Sequence, residues 1–546
     1  MGIRRYTADK DNTITNAFEA NLKTRGTGSN MGASDILEVF SLYGQTFSSS
    51  SVQGIIRTQE LSRVLVEFPI ADIISDRTAG NIPASGSVDF YLCLYNAKHA
   101  ETVPKDVTFR VVPVSSSWQE GFGLDMENYQ DLTNNSEGSN WIKRSAGNSW
   151  NTAGGTFLTA AAGNNYGDRT KEITLENGTE DLKLDVTDDV ERWIKGTLAQ
   201  GGFPNYGFGV YLAANQEGYF SNSSGAYSTN NSIQNVNGAT RSYYTKRFFS
   251  RTSEFFHKKP KIEARWDSSI KDNRGNVQYS SSLLNGEDNL NTLYLYNSVN
   301  GQLKNIPGLT DASAKIYVQL FSGSTSGPSG HALHLVTTTD FTTTAVPTVV
   351  TGGYVSTGIY SASFALTAAA APLEKICDVW HTDGGNKLGA QVFTGSSNPK
   401  VFRSSTENVP SSYVININNL KPSYNNSEVA RFRVFTRIKD WNPTIYSKAV
   451  AKVENYLLHN IYFKINRTID DESIIPYGTG STSPQPVGSA ASYTRLSYDV
   501  SGSYFDLDMS MLESGYMYYI QLAYYENSSY KQFNQSFNFK VEGNGY

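Results

Sequence analysis

Cysteine is almost missing from this 546-residue chain, which has only Cys93 and Cys377. Two cysteines far apart exclude a disulfide framework and a cysteine-built zinc site, and folding in a reducing cytoplasm is the expectation. Charge is also scarce: 18% of residues are charged and the formal net charge is −5, so no basic field exists to hold a nucleic-acid backbone or an anionic membrane. No apolar run reaches the roughly 18 residues of a membrane-spanning helix. The N-terminal stretch MGIRRYTADKDNTITNAFEAN lacks the apolar segment of a secretory signal. A soluble protein that does not enter a secretory route by itself is therefore expected. What the chain has instead is 34 Tyr, 27 Phe and 46 Gly, with Ser, Thr and Asn throughout. Aromatic and β-branched residues suit pleated surfaces and Gly, Asn and Ser supply turns, so the expected fold class is all-β. The length exceeds one hydrophobic core and predicts a multidomain chain.

Hydrophobic periodicity divides the chain. RVLVEFPI from Arg63, SVDFYLCLYNA from Ser87 and VTFRVVPV from Val107 alternate as half-buried strands. A long polar excursion, Ser116 to Gly155, follows, with Trp118, Trp141 and Trp150 as its expected anchors. KKPKIEARWDS reads as a closing strand, which gives a first domain of residues 1–268. The polar stretch SSIKDNRGNVQYSSS reads as a linker, residues 269–283. Strand-like runs without helical periodicity then predict two immunoglobulin-like β-sandwiches, residues 284–407 and 408–546. GTGSTSPQPVGSAAS, from Gly478, is expected to be a loop tip.

One segment breaks the pattern. In VTDDVERWIKG, Val186, Val190, Trp193 and Ile194 fall at i, i+4, i+7 and i+8 on one helical face, Asp188 and Asp189 suit the positive N-terminal end, and Gly196 stops the helix. A short structural helix over one end of the first sandwich is predicted.

The search for catalytic chemistry is negative, and neither a catalytic set, a metal site nor a cofactor is expected. GTGSNMG at Gly26 is one residue too long for a dinucleotide fingerprint and no helix pattern follows it. His331 and His334 are three apart, on opposite faces if the segment is a strand. The acid pairs Asp9 with Asp11, Asp188 with Asp189, Asp470 with Asp471 and Glu472, and Asp506 with Asp508 read as solvated turn carboxylates, although Asp9 and Asp11 could help to hold calcium. A glycosidase needs two carboxylates across a cleft, and spacing cannot pair distant acids. Arg431, Arg433 and Arg437 share one face of ARFRVFTRIKDW and are a candidate interface for acids on a partner, or else a solvated sheet face. Tyr519 and Tyr525 are candidate contacts for a protein partner or for sugar rings, with packing inside the domain as the alternative.

Several collinear pieces of the first 268 residues resemble the DNRLRE-type β-sandwich domain, a jelly-roll-like module related to some carbohydrate-binding modules. They are ADKDNTI with GSNMGASDILEVF, RVLVEFPI beginning at Arg63, SVDFYLCLYNA, the Trp-rich stretch from SSSWQEG, and LDVTDDVERWIKG with NYGFGVYL. The chain departs from that pattern in the insertion SSSSVQGIIRTQE and in the extended SNSSGAYSTNNSIQNVNGATRSYYTKRFFS. Such a domain followed by sandwiches containing RFRVFTRIKDWNPTIY is similar to virion structural proteins of large contractile-tailed bacteriophages. The resemblance implies a non-enzymatic protein, folded in the host cytoplasm and placed in the virion, docking on tail, baseplate, neck or head beside other virion proteins in a symmetric assembly. Glycans are a further possible partner, through a carbohydrate-binding or host-adhesion role for exposed aromatics. No nucleic-acid or membrane partner is expected.

Overall fold

The computed structural model describes residues 2–22, 24–47, 55–99, 104–124, 138–160, 165–221, 232–311, 313–324, 327–335, 348–367, 373–383, 390–400, 412–439, 455–478, 492–526 and 529–543. The chain is all-β and divides into two compact units, Gly2–Trp266 and Asp267–Tyr546. Residues 48–54 of the insertion after Phe47, the expected 407/408 boundary and most of the loop from Gly478 lie outside the described residues, whereas residues 55–60 of that insertion belong to the strand Ile55–Glu67.

In the first unit a four-stranded antiparallel sheet runs in the order Ile3–Thr7, Lys261–Arg265, Asp89–Leu94, Leu182–Asp185. It shares one core with a seven-stranded sheet that includes Ile36–Phe47, Ile55–Glu67, Phe208–Leu212 and Val107–Pro113. The period of two places Phe90, Leu92 and Leu94 in that core, opposite Ile262 and Ala264 on the neighbouring strand. Burying each large apolar side chain contributes about 1.5–3 kcal/mol.

The strand Ile55–Glu67 is apolar on both faces. Val64 and Val66 enter the main core, while Leu61 and Leu65 face a second, smaller core. That second core is the Trp-rich excursion: Trp118, Trp141 and Trp150 pack there with Ile14 and Val114. The indole N–H of Trp118 donates to the Tyr206 carbonyl at 2.9 Å, and that of Trp150 to the Asn140 carbonyl at 2.8 Å. Two glycines are obligatory there. Gly121 and Gly138 adopt φ of +79° and +95°, and a Cβ on either would come within 2.5 Å of the Asn30 amide.

Two α-helices occur among the described residues where one was expected. RVLVEFPI does not continue as strand to Ile70: the strand ends at Glu67, because Pro69 has no N–H for a ladder, and Ile70 opens α1, Ile70–Thr78. The signal was short, with Ile70 and Ile73 facing inward, Asp72 in the first turn and Arg77 in the last. The second helix, α2, spans Thr187–Lys195 and is capped by Val186 and Gly196. Val186, Val190 and Trp193 are buried in the main core and Ile194 packs against it, with the Trp193 ring 4.6 Å from that of Phe208.

The second unit is built of β layers. Its first layer is an antiparallel sheet in the order Asn291–Tyr296, Ile359–Phe364, Val350–Ser356, Lys315–Ser324, Ile376–His381, Gln391–Ser397, around Ile316, Val318, Tyr360 and Trp380. The stretch 269–283 is not a free linker. Val277 and Tyr279 are buried in this core, Gln278 bridges to Lys400, and Lys271 bridges to Tyr498. Its polar composition hid two apolar residues spaced two apart, which is all a short edge segment needs. The remaining residues form a sandwich of one four-stranded sheet (Tyr413–Ile417, Val429–Ile438, Gly502–Asp508, Ser497–Asp499) and one five-stranded sheet that includes Ile461–Arg467, Met517–Glu526 and Ser529–Glu542. Its core is aromatic: Phe505 stacks between Phe432 at 5.0 Å and Phe463 at 4.3 Å.

Candidate functional site

The strand Val429–Ile438 alternates as its sequence predicts, with Ala430, Phe432, Val434 and Thr436 buried and the three arginines on the other face. Two of those arginines already have acids within the same chain. Arg431 makes a bidentate pair with Asp506 (2.7 and 2.9 Å), directly across the strand pair, and Arg433 contacts both oxygens of Asp499 at 2.7 Å. Both guanidinium groups lie over the Tyr504 ring, at 4.3 and 4.7 Å. The expectation that this face waits for a partner's acids is corrected for Arg431 and Arg433. Arg437 differs: its Nη1 reaches only the carbonyls of Ile438 and Lys439, at 3.3 Å, and no carboxylate pairs with it among the described residues.

Arg437 lies at a cleft of about 390 Å³ within the Asp267–Tyr546 unit. One wall comes from the segment misread as linker, which contributes Asp272, Asn276 and Gln278, with Lys400 beside it. Backbone bonds position these side chains. The Gln278 main chain is held on both sides by the Asn291 amide at 2.8 Å, and the Lys400 N–H donates to the Val277 carbonyl at 2.7 Å. Among the described residues the side chains of Asn276, Gln278 and Lys400 have no hydrogen-bond partner.

The opposite wall comes from Asn455, Tyr456, His459 and Asp499. Asn455 is spent on the backbone, accepting from the Thr436 N–H at 3.0 Å, and a Cβ at Gly502 (φ +111°) would strike its amide nitrogen at 1.9 Å. The Tyr456 ring is 44% exposed and stacks on Tyr413 at 5.4 Å, so its position is held while its surface stays accessible. Burial pushes the Asp272 carboxyl up to about 6, against the pull of the Arg274 N–H bond. Burial and the Lys271 charge lower the His459 imidazole from the usual histidine value.

The cleft therefore offers donors and acceptors in mixture. It contains no pair of free carboxylates at a common point, since Asp499 is bound to Arg433. No group of three metal-ligating side chains exists among the described residues.

The remaining sequence candidates are dispersed. Tyr519 donates to Asp471 and accepts from the Asn466 amide at 2.6 Å, and Tyr525 packs on Tyr530 at 4.7 Å. The acids of α2 are not solvated turn carboxylates as a pair: Asp189 is fully buried against Arg169 (2.7 Å), while Asp188 pairs with the same arginine from the surface. Asp470 and Glu472 are gathered with Glu513 by Arg467, and Asp508 caps a turn through the Ser510 N–H at 3.0 Å. Asp9 is exposed, whereas Asp11 is buried. His331 and His334 are both exposed. GTGSNMG clamps the Trp-rich excursion: the Asn30 amide donates to the Glu120 and Ser139 carbonyls at 2.5 and 2.8 Å.

Sequence reasoning missed the cleft, whose residues are scattered from Asp272 to Gly502 with no spacing of their own. It also missed three internal charge sites. Arg63 makes a bidentate, buried pair with Glu217 at 2.9 Å. The fully buried Lys246 donates to Asn96 and to the Gly178 and Glu180 carbonyls at 2.5, 2.9 and 2.8 Å, and desolvation lowers its pKa to about 8. Asp11 accepts from the Arg251 N–H at 2.6 Å beside a Glu120–Arg251 ion pair.

No family model matches the sequence, and no curated protein matches it. Among solved structures, the crystal structure of the N-terminal Ig1-2 module of the Drosophila receptor protein tyrosine phosphatase DLAR is similar over 46% of this chain and 91% of that chain, at 10% identity and a TM-score of 0.13. At that TM-score the likeness carries no weight for function.

Proposed function

We propose that the chain is a non-enzymatic structural protein of a bacteriophage particle, which docks on the tail, baseplate, neck or head through surfaces of its β layers as one component of a symmetric assembly. The observation that carries this reading is the internal use of the acids that catalysis would need. Asp189, Asp470, Glu472, Asp499 and Asp506 each hold an arginine, and Asp508 caps a turn. The resemblance of the whole arrangement, a DNRLRE-like domain followed by sandwiches, to phage virion structural proteins supports the same reading. Docking would rest on shape and on hydrogen bonding more than on unpaired charge, because Arg431 and Arg433 are neutralised in place. A stable contact needs about 800 Å² from each partner. Folding in the host cytoplasm before assembly accords with two free, buried cysteines.

The test is to purify particles from infected cells on density gradients and to quantify this chain by mass spectrometry. A fixed copy number per particle supports the reading, and absence from washed particles overturns it. A second reading, carbohydrate binding, is favoured by the polar cleft with its exposed tyrosine.

A further inference from the structure

We infer that the cleft between Gln278 and Arg437 is a binding site for an uncharged oligosaccharide. The ligand class follows from what its walls offer. An apolar ligand would pack on Ile438, Leu457 and Val500 but leave the polar groups of Asn276, Gln278, Lys400 and Arg437 unpaired, whereas pockets for such ligands are mainly hydrophobic. A phosphate or other anion would meet two cations but also the Asp272 carboxyl on the same lining, Asp499 being held by Arg433. A metal ion would find no group of three ligands among the described residues.

A sugar hydroxyl both donates and accepts, so a saccharide can pair with the donors and the acceptors of such a mixed wall at once. The unengaged amides of Asn276 and Gln278 supply both functions, Lys400 and Arg437 donate, and Asp272 accepts. The exposed ring of Tyr456, propped by Tyr413, is a platform for the apolar face of a pyranose. A smaller recess of about 90 Å³ shares Asn276, Gln278 and His459 with the cleft, so the polar surface extends beyond one sugar unit. This site is independent of docking on a particle and gives the carbohydrate reading a location in the second unit.

The experiment uses the full-length chain and four neutral probes: maltopentaose, cellopentaose, mannopentaose and chitopentaose, followed by saturation-transfer NMR and calorimetry. At least one probe is expected to bind. The double variant Arg437→Ala with Gln278→Ala is expected to bind it about tenfold or more weakly, the loss of two hydrogen bonds. Asn276→Trp, which fills the cleft without removing a charge, is expected to abolish binding and serves where the double variant does not fold. Arg110→Ala, in the other unit, should bind as the wild type does. Binding of none of the probes overturns the inference. So does undiminished binding by folded cleft variants, or binding confined to sialylated or sulfated controls. Failure here leaves the particle measurement above untouched, so the two readings fail separately.

Discussion

At the scale of single residues, the informative groups are charges taken out of water. Asp11 is fully buried, its Oδ1 has no hydrogen-bond partner, and burial pushes its carboxyl up to about 7 in spite of the Arg251 N–H bond. An unfolded aspartate titrates near 3.9. A folded value above the unfolded one means that the stabilising contribution is complete below about pH 4 and is lost as pH rises through 7, a swing of about 4 kcal/mol. Asp11→Asn should remove that slope, which urea midpoints of wild type and variant at pH 4, 5.5 and 7 will show. Equal slopes would mean that Asp11 is ionised throughout. Arg63 is the converse case, a buried charge with full partners, stacked 4.6 Å from the Tyr211 ring. Arg63→Ala leaves Glu217 buried and unpaired and should cost about 3–5 kcal/mol in denaturant titration. Neither role was legible beforehand. The sequence marks Arg63 as the start of an apolar strand, but Glu217 lies 154 residues away and Arg251 lies 240 residues from Asp11. Period and propensity do not reach that far.

At the scale of elements, α2 was the most legible feature, because Val186, Val190, Trp193 and Ile194 share a face at helical spacing and the chain around them alternates. What spacing could not give was the purpose of the polar face. Glu191 grips Arg77 of α1 through two bonds of 2.7 and 2.6 Å, and Asp189 grips Arg169, so the helix is fastened on both sides. Trp193→Ala should lower the stability of the first unit by about 3–5 kcal/mol, read from its melting transition. A double-mutant cycle with Glu191→Gln and Arg77→Gln should return a coupling of about 0.5–3 kcal/mol, and additive losses would show that the two helices are held by apolar packing alone. The first helix escaped notice because nine residues with two inward isoleucines scarcely differ from the end of a strand, until Pro69 is weighed as a ladder breaker. The misread linker has the same origin: Val277 and Tyr279 alternate for one period only, and their polar neighbours dominate any composition window.

At the scale of the whole molecule, the all-β class was legible from composition, since tyrosine, phenylalanine and threonine in alternation leave little else. The cleft was not, because its lining is assembled by topology from five separated stretches. Two compact units with separate cores predict separable unfolding. In calorimetry Trp193→Ala should shift one transition and leave the other in place. A joint shift of all transitions would show that the units unfold as one.

The pairing of Ile3–Thr7 with Lys261–Arg265 also has a consequence in time. The Arg5–Glu263 contact spans 258 residues, and the first strand has no other neighbour in its sheet. At about 5–20 residues per second of synthesis, that strand emerges and then waits roughly 13–50 s for its partner. Until then Asp89–Leu94 also lacks a neighbour on that side, and two open edges invite pairing with other nascent chains. A ribosome stalled before Lys261 would therefore hold an aggregation-prone intermediate, and slower translation would prolong its exposure.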